Sequence, residues 1–262
     1  MPLTKFQLEI MSLLRSNRNP ESYVAGGAAI QRSPNSLRYS ADIDIFHDAD
    51  QAVIAGYESD RTVLTQAGYV VDTHIAQPSF YRATVTKGGQ SVKLEWVRDT
   101  AFRFFPVIED DELGYRLHDV DLAVNKCLAL ANRSEVRDAL DSIELDRDVI
   151  SLAAAVAAAC GKDPGFTPEL MLDMIQRHIN FSPDALAAED LVEPVDPKIL
   201  KKTLLDLIGK TRVTLSKMNP IDLGYIFVDS KGRVVKEISG LDTSKLTRHA
   251  GSVKGSWPRI VS

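Results

Sequence analysis

With 262 residues, 44% hydrophobic and 26% charged, the chain has ordinary globular composition and the length of one large domain or two small ones. A formal net charge of −5 argues against a protein that coats nucleic acid through its whole surface, while leaving room for a local basic groove. The two cysteines, Cys127 and Cys160, stand in no metal-like spacing, and the longest apolar run, LAAAVAAAC at 152–160, is about half a membrane span. The opening MPLTKFQLEIMSLLRS also lacks the apolar core and cleavage site of a signal peptide, so a soluble cytoplasmic protein with reduced thiols and no membrane partner is expected.

Phe6, Ile10, Leu13 and Leu14 recur at helical spacing, which predicts an amphipathic helix over 4–16 that NRNPE breaks. Ser22–Ala25 reads as a short strand, and Gly26-Gly27 turns it into a brief helix around Ala28–Gln31. RSPNSLRY is loop by its Ser, Pro and Asn content. Ser40–Phe46 alternates as a strand, with Ile43 and Ile45 on one face and Ser40, Asp42 and Asp44 on the other. A helix over 50–67 ends at Gly68, and strands follow at Tyr69–Ile75, Phe80–Thr86 and Ser91–Val97, the last two joined by the hairpin signal TKGGQ. After about residue 117 the character becomes helical: from Asp119, a candidate cap, to Asn132, then Glu135–Arg147, 149–160, 168–179 and 197–216. YIFVDSKGRVVKEI reads as a hairpin around Asp229–Gly232, and residues 219–262 form a basic tail with seven Lys/Arg against four Asp/Glu. The expected class is α+β, a mixed-sheet domain over 1–117 followed by a mainly helical domain over 118–262.

The front half carries the chemistry. A Gly-Gly turn between strand and helix lets backbone amides approach a phosphate, and the helix start favours negative charge. Asp42 and Asp44, about 7 Å apart along one strand face, can hold one or two Mg²⁺, which take carboxylates, waters and phosphate oxygens. Two such ions would stabilise both attacking and leaving oxygens in a nucleotidyl displacement. A third acid is wanted, and in VKLEWV Glu95 supplies it, sharing a face with Lys93 while Leu94 and Trp96 pack on the other. Lys93 and Glu95 equally suit the polar face of an edge strand.

GG, about a dozen residues, and then S-x-D-I-D resembles the first motif of the polymerase-β nucleotidyltransferase superfamily. More narrowly, AGGAAI…RYSADIDIF resembles the AbiEii/AbiGii-type toxin nucleotidyltransferases of toxin–antitoxin systems, and NKCLALANRSEVRDALD at 125–141 is similar to that family's later motif. The resemblance covers about 22–148. It implies that Gly26 and Gly27 contact the triphosphate, that Asp42 and Asp44 bind metal (Mg²⁺ or Mn²⁺), and that Lys126 holds phosphate while Asp138 completes the site. Glu95 takes the third acidic position, commonly an aspartate, as base or metal ligand.

The residues of the second motif also allow a blander account. Val124, Cys127, Leu128 and Ala131 share an apolar face, Lys126 and Arg133 lie on another, and Arg137, Asp138 and Asp141 suit a solvated ion-pair network. Ser40, placed beside Asp42 and Asp44, either reaches the triphosphate as a nucleotide-binding residue or bonds its own backbone. The expected activity is metal-dependent transfer of NMP from an NTP, with pyrophosphate released. The resemblance implies RNA or tRNA as acceptor and a cognate antitoxin as partner. Arg32, Arg38, Lys93 and the basic tail are candidates to guide the acceptor. The rivals are transfer to a small molecule, as in antibiotic-modifying enzymes, and a catalytically silent nucleotide- or partner-binding module.

Overall fold

In the computed structural model, which describes residues 3–32 and 35–259, the chain divides into two compact units. Met1–Ala101 and Pro106–His118 form the first, and Phe102–Phe105 and Asp119–Ser262 the second. Ser33 and Pro34 of the expected loop, and the last three residues of the basic tail, lie outside the described residues.

Through the first unit and its junction the elements run α1 (Lys5–Leu14), β1 (Ser22–Ala25), α2 (Gly26–Ile30), β2 (Asp42–His47), α3 (Asp50–Gln66), β3 (Val70–Gln77), β4 (Phe80–Lys87), β5 (Gln90–Arg98), β6 (Phe102–Arg103), β7 (Ile108–Asp110) and β8 (Gly114–Arg116). All these strands except β6 form one mixed sheet in the order β3-β4-β5-β2-β1-β8-β7, with β2 parallel to β5 and antiparallel to β1. At the start of α1 a capping box forms: the Thr4 hydroxyl accepts from the Gln7 N–H, and the Gln7 side-chain oxygen accepts from the Thr4 N–H. The Gln7 amide nitrogen then donates to the Ser40 carbonyl at 2.6 Å, tying α1 to the approach of β2. Gly88 and Gly89, at φ 59° and 80°, close the β4–β5 hairpin in a conformation that costs other residues strain.

Alternation along β2 and β5 buries Ile43, Ile45, Leu94 and Trp96 on one sheet face, against which α1 and α3 pack. Set into that core is an ion pair. One guanidinium nitrogen of Arg18 donates to both oxygens of Asp60 at 2.6 Å, and neither side chain is exposed. The Trp96 indole N–H adds a third bond to Asp60 at 2.7 Å, and Tyr57 meets the indole edge to face. Asp60 therefore joins α3, β5 and the segment after α1 through charge-assisted bonds. At the end of β2, His47 is fully buried with the Ser22 hydroxyl 3.1 Å from its Nε2. α3 comes so near that a Cβ on Gly56 would lie 2.3 Å from that nitrogen.

The second unit continues with α4 (Asp119–Asn132), α5 (Val136–Asp148), α6 (Leu152–Lys162), α7 (Pro168–His178), α8 (Pro183–Ala187), α9 (Pro197–Leu215), β9 (Tyr225–Val228), β10 (Thr247–Ala250) and β11 (Ser252–Val253). The mixed α+β front and mainly helical back follow the sequence expectation. α6 is apolar all round, as a central helix must be, and packs against α4, α7, α9 and β9. At Gly161 it comes so near the Gly224 backbone that a Cβ would lie 2.6 Å away. Near the start of α4, Asp121 accepts the backbone N–H groups of Phe104 at 2.7 Å and Phe105 at 2.9 Å, while β6 pairs with β11. Those bonds explain why Phe102–Phe105 packs with the second unit.

Several local expectations shift. The helix expected from 149 starts at Leu152, because the Ser151 hydroxyl caps it by accepting from Ala154 N–H. Asp119 is the first residue of α4, and Leu128 is half-exposed while Leu130 is buried. The turn at Asp229–Gly232 forms, with the Asp229 carboxylate accepting from Lys231 and Arg233 N–H, but only a single bridge, Val228 to Val234, follows it. The strand partner of β9 is instead β10. No helix among the described residues is long and apolar enough to cross a membrane.

Burial, and secondarily the nearby Arg18 charge, push His47 down from 6.5 to about 4. The folded state then binds fewer protons than the unfolded chain between those values. The stability His47 supplies is complete above about pH 6.5 and is lost as pH falls toward 4, to the extent of about 3 kcal/mol. Asp121, raised by burial to about 6, slopes the opposite way, so the raw pH profile mixes both groups. Urea unfolding of wild type and His47→Gln isolates the histidine: the stability gap between them should shrink as pH falls from about 7 to 4. A gap independent of pH would show that His47 is not the titrating group.

Candidate active site

Two glycines begin the site because specific side chains occupy the space a Cβ would need. Gly26, at φ 61°, opens α2, and a Cβ there would lie 2.3 Å from Asp44 Oδ2. At Gly27 the obstructing atoms would be Ser40 Oγ at 2.7 Å and an Arg38 guanidinium nitrogen at 2.9 Å. The strand ladder does the rest. Ala25 stands opposite Asp44 across β1–β2, while Asp42 stands opposite Lys93, and Asp44 opposite Glu95, across β2–β5. All four charged residues therefore share the sheet face turned away from Ile43, Ile45, Leu94 and Trp96.

Asp42, Asp44 and Glu95 each bring a carboxylate oxygen within 4.8 Å of the others. At an effective dielectric of about 20, each such pair of charges repels by roughly 3 kcal/mol, so the cluster needs positive charge. Lys93 Nζ lies 2.9 Å from Asp42 Oδ2 and 3.3 Å from Glu95 Oε1, and Arg82 Nε lies 2.9 Å from Glu95 Oε1. Although burial alone would pull it down, contact with Asp42 and Glu95 holds the Lys93 ammonium above its ordinary range. An ammonium thus stands where three hard oxygen donors converge, and that donor set fits Mg²⁺ or Mn²⁺.

Ser40 lies against Gly27 but is not part of the strand. It precedes β2, is buried, and its hydroxyl donates to the Asp42 carbonyl at 2.9 Å, so local backbone bonding is the contact it makes. Arg38 is buried as well, donating to the Tyr39 carbonyl at 3.0 Å, and Arg32 is ion-paired with Asp110 of β7. Arg82 was not anticipated. Its signal lay in the Gly88-Gly89 turn, which sets a register placing Arg82 directly opposite Glu95.

In the second unit Lys126 joins Asp138 and Asp141. Its Nζ is 2.7 Å from Asp138 Oδ1 and 2.8 Å from Asp141 Oδ2, while Arg133 Nε is 2.7 Å from Asp138 Oδ2. Both aspartates have no exposed side chain, so this is a buried network that fixes α4 to α5 and not a solvated one. Burial works against every charge in it. Even so, Asp141 and Asp138 hold Lys126 above its usual range, and Lys126 with Arg133 holds Asp138 below the usual carboxylate range. Cys127 is buried on an apolar face, where burial drives its thiol up and leaves it unreactive. His178 Nδ1 and His249 Nε2 face the Leu130 and Phe104 carbonyls, at 3.1 and 2.8 Å.

No family model and no curated protein matches the sequence. Solved structures do. The nucleotidyltransferase toxin MenT4 from Mycobacterium tuberculosis aligns over 83% of this chain and 84% of its own at 15% identity, with a TM-score of 0.57. JHP933 from Helicobacter pylori aligns over 82% of this chain and 95% of its own at 17% identity, with a TM-score of 0.51. The chain shares the fold of a nucleotidyltransferase toxin structure over 83% of its length, beyond the stretch at about 22–148 that carries the sequence resemblance.

Gly26→Ala should cost about 1–2 kcal/mol from the left-handed backbone alone, and more from the collision with Asp44. Gly68→Ala, also at positive φ but with open space around it, is the matched control that carries only the backbone cost. Urea unfolding should rank Gly26→Ala as the less stable, and Mn²⁺ binding should weaken in that variant alone. Lys126→Ala removes the ammonium that two buried carboxylates share, while Arg133 stays on Asp138, and unfolding should show a loss of about 3–5 kcal/mol. A loss below about 1 kcal/mol would mean the network contributes little to holding α4 on α5.

Proposed function

We propose that the protein is a metal-dependent nucleotidyltransferase that moves a nucleoside monophosphate from an NTP to an acceptor. The observation that carries this reading is the convergence of Asp42, Asp44 and Glu95 oxygens within 4.8 Å beside the Gly26-Gly27 turn. In the reaction an acceptor hydroxyl oxygen bonds to the α-phosphorus, the bond from that phosphorus to the oxygen of the departing diphosphate breaks, and pyrophosphate leaves with the electron pair. The hydroxyl proton passes to solvent in the same exchange.

Asp42, Asp44 and Glu95 would hold the metal, which when bound supplies charge stabilisation at the attacking and leaving oxygens. Gly26 and Gly27 keep the backbone open to phosphate, a task any side chain there would obstruct. Arg82 orients Glu95 from the neighbouring strand. Lys126 and Asp138 enter the proposal as the pair that fixes α4 on α5, from which the resemblance assigns them phosphate and site contacts. RNA, and tRNA in particular, is the acceptor we infer. A growth-inhibiting role held in check by an antitoxin is the physiological setting. Both rest on the sequence resemblance and on the likeness to MenT4, itself a nucleotidyltransferase toxin.

Incubating the purified protein with each labelled NTP, Mg²⁺ or Mn²⁺ and total RNA should place label on an RNA band. Asp44→Asn should reduce that transfer on the order of a hundredfold. Label on a small molecule but never on RNA would favour the antibiotic-type acceptor, and no transfer with any NTP would leave a silent binding module. Induced expression should slow bacterial growth for the wild type and not for Asp42→Ala. Harmless expression of an enzyme active on RNA would remove the toxin role alone.

A further inference from the structure

The geometry points to Lys93 as a built-in competitor of the divalent cation: its ammonium sits within the carboxylate cluster, and a metal that takes those oxygens must displace it. This inference rests on the reading of Asp42, Asp44 and Glu95 as a metal site. The ladder of β2 and β5 sets Lys93 directly opposite Asp42 and two residues from Glu95 on the same face, so the backbone fixes its position. Its Nζ bridges Asp42 Oδ2 at 2.9 Å and Glu95 Oε1 at 3.3 Å, using oxygens that a cation would take.

Mobility is unevenly shared among these groups. Asp42 is 6% exposed, and Glu95 is braced from the far side by Arg82 at 2.9 Å. The Lys93 side chain is 37% exposed, and its unbranched stem gives it a path outward that the acids lack. With Lys93 in place, one positive charge is already seated among the three carboxylates. With Lys93 withdrawn, the cluster gains one net negative charge and Asp42 Oδ2 becomes available as a ligand, while Arg82 stays on Glu95 Oε1. The lysine thus weakens the site for free metal, while an incoming triphosphate offers the displaced ammonium another anionic partner.

The test uses Mn²⁺ alone, with no nucleotide, titrated into the full chain and followed by electron paramagnetic resonance and calorimetry. Lys93→Met and Lys93→Gln should each bind Mn²⁺ on the order of tenfold more tightly than wild type, whereas Lys93→Arg should stay within a fewfold of it. The metal-free thermal midpoint of Lys93→Met should fall, because its acids lose their counter-ion, and Mn²⁺ should raise it by more than it raises the wild type. Adding Asp44→Asn to Lys93→Met should abolish the gain, which locates it at this cluster. Wild-type affinity for Mn²⁺ that equals or exceeds that of both Lys93→Met and Lys93→Gln would overturn the competitor role and leave the metal site standing. Absence of Mn²⁺ binding in every variant would overturn both.

Discussion

The register of β2 against β5 is the constraint on which the site depends. In a parallel pair with period two, a slip of one residue would turn Asp42 and Asp44 away from Glu95 and carry Leu94 or Trp96 out of the core. The back of the sheet guards against that slip. Trp96 donates into Asp60, Asp60 is held by Arg18, and all three are inaccessible to water, so β5 cannot shift without breaking a buried charged network. The functional face is thus positioned by an ion pair that never meets a substrate. The turn at Gly88-Gly89 adds a second lock by fixing β4 on β5.

Each unit contains a lysine held between two acids, and the difference between them is solvent. Lys126 is buried between Asp138 and Asp141, where it is a counter-ion that water cannot replace. Lys93 sits at a partly open surface, where the same chemistry is reversible because water can take over each partner. Similar side-chain types at similar distances are a structural bolt in one place and an exchangeable plug in the other. Spacing in the sequence does not separate these two cases.

What the sequence made legible follows from local rules. The D-I-D alternation and the face shared by Lys93 and Glu95 were readable because side-chain direction in a strand has period two. The β4–β5 pairing was readable from its two glycines, and with it the Arg82–Glu95 contact, had the register been counted out. The strand begins at Asp42 and not at Ser40, because a serine just outside a strand competes for backbone bonds with its own neighbours. Burial of Lys126 depends on α4 packing against α5, and β6, β7 and β8 are two or three residues long, too short for periodicity to register. The partner of β9 comes from residues 247–250, past a turn that signalled a nearer one.

Phe102–Phe105 gives the chain an unusual itinerary. The polypeptide leaves the first unit after Ala101, contributes four residues to the second, returns at Pro106 and departs again after His118. No single cut in the gene yields both units whole: a fragment ending at 118 carries away the strand that Ser252–Val253 pairs with, and the N–H groups that satisfy Asp121. During synthesis β6 must wait for β11, at usual ribosomal rates roughly 7–30 s later. The nascent chain therefore emerges with two phenylalanines, Phe104 and Phe105, whose burial is deferred to the last stage of translation. In a living cell, that interval is when chaperones and proteases have their opportunity to act on it.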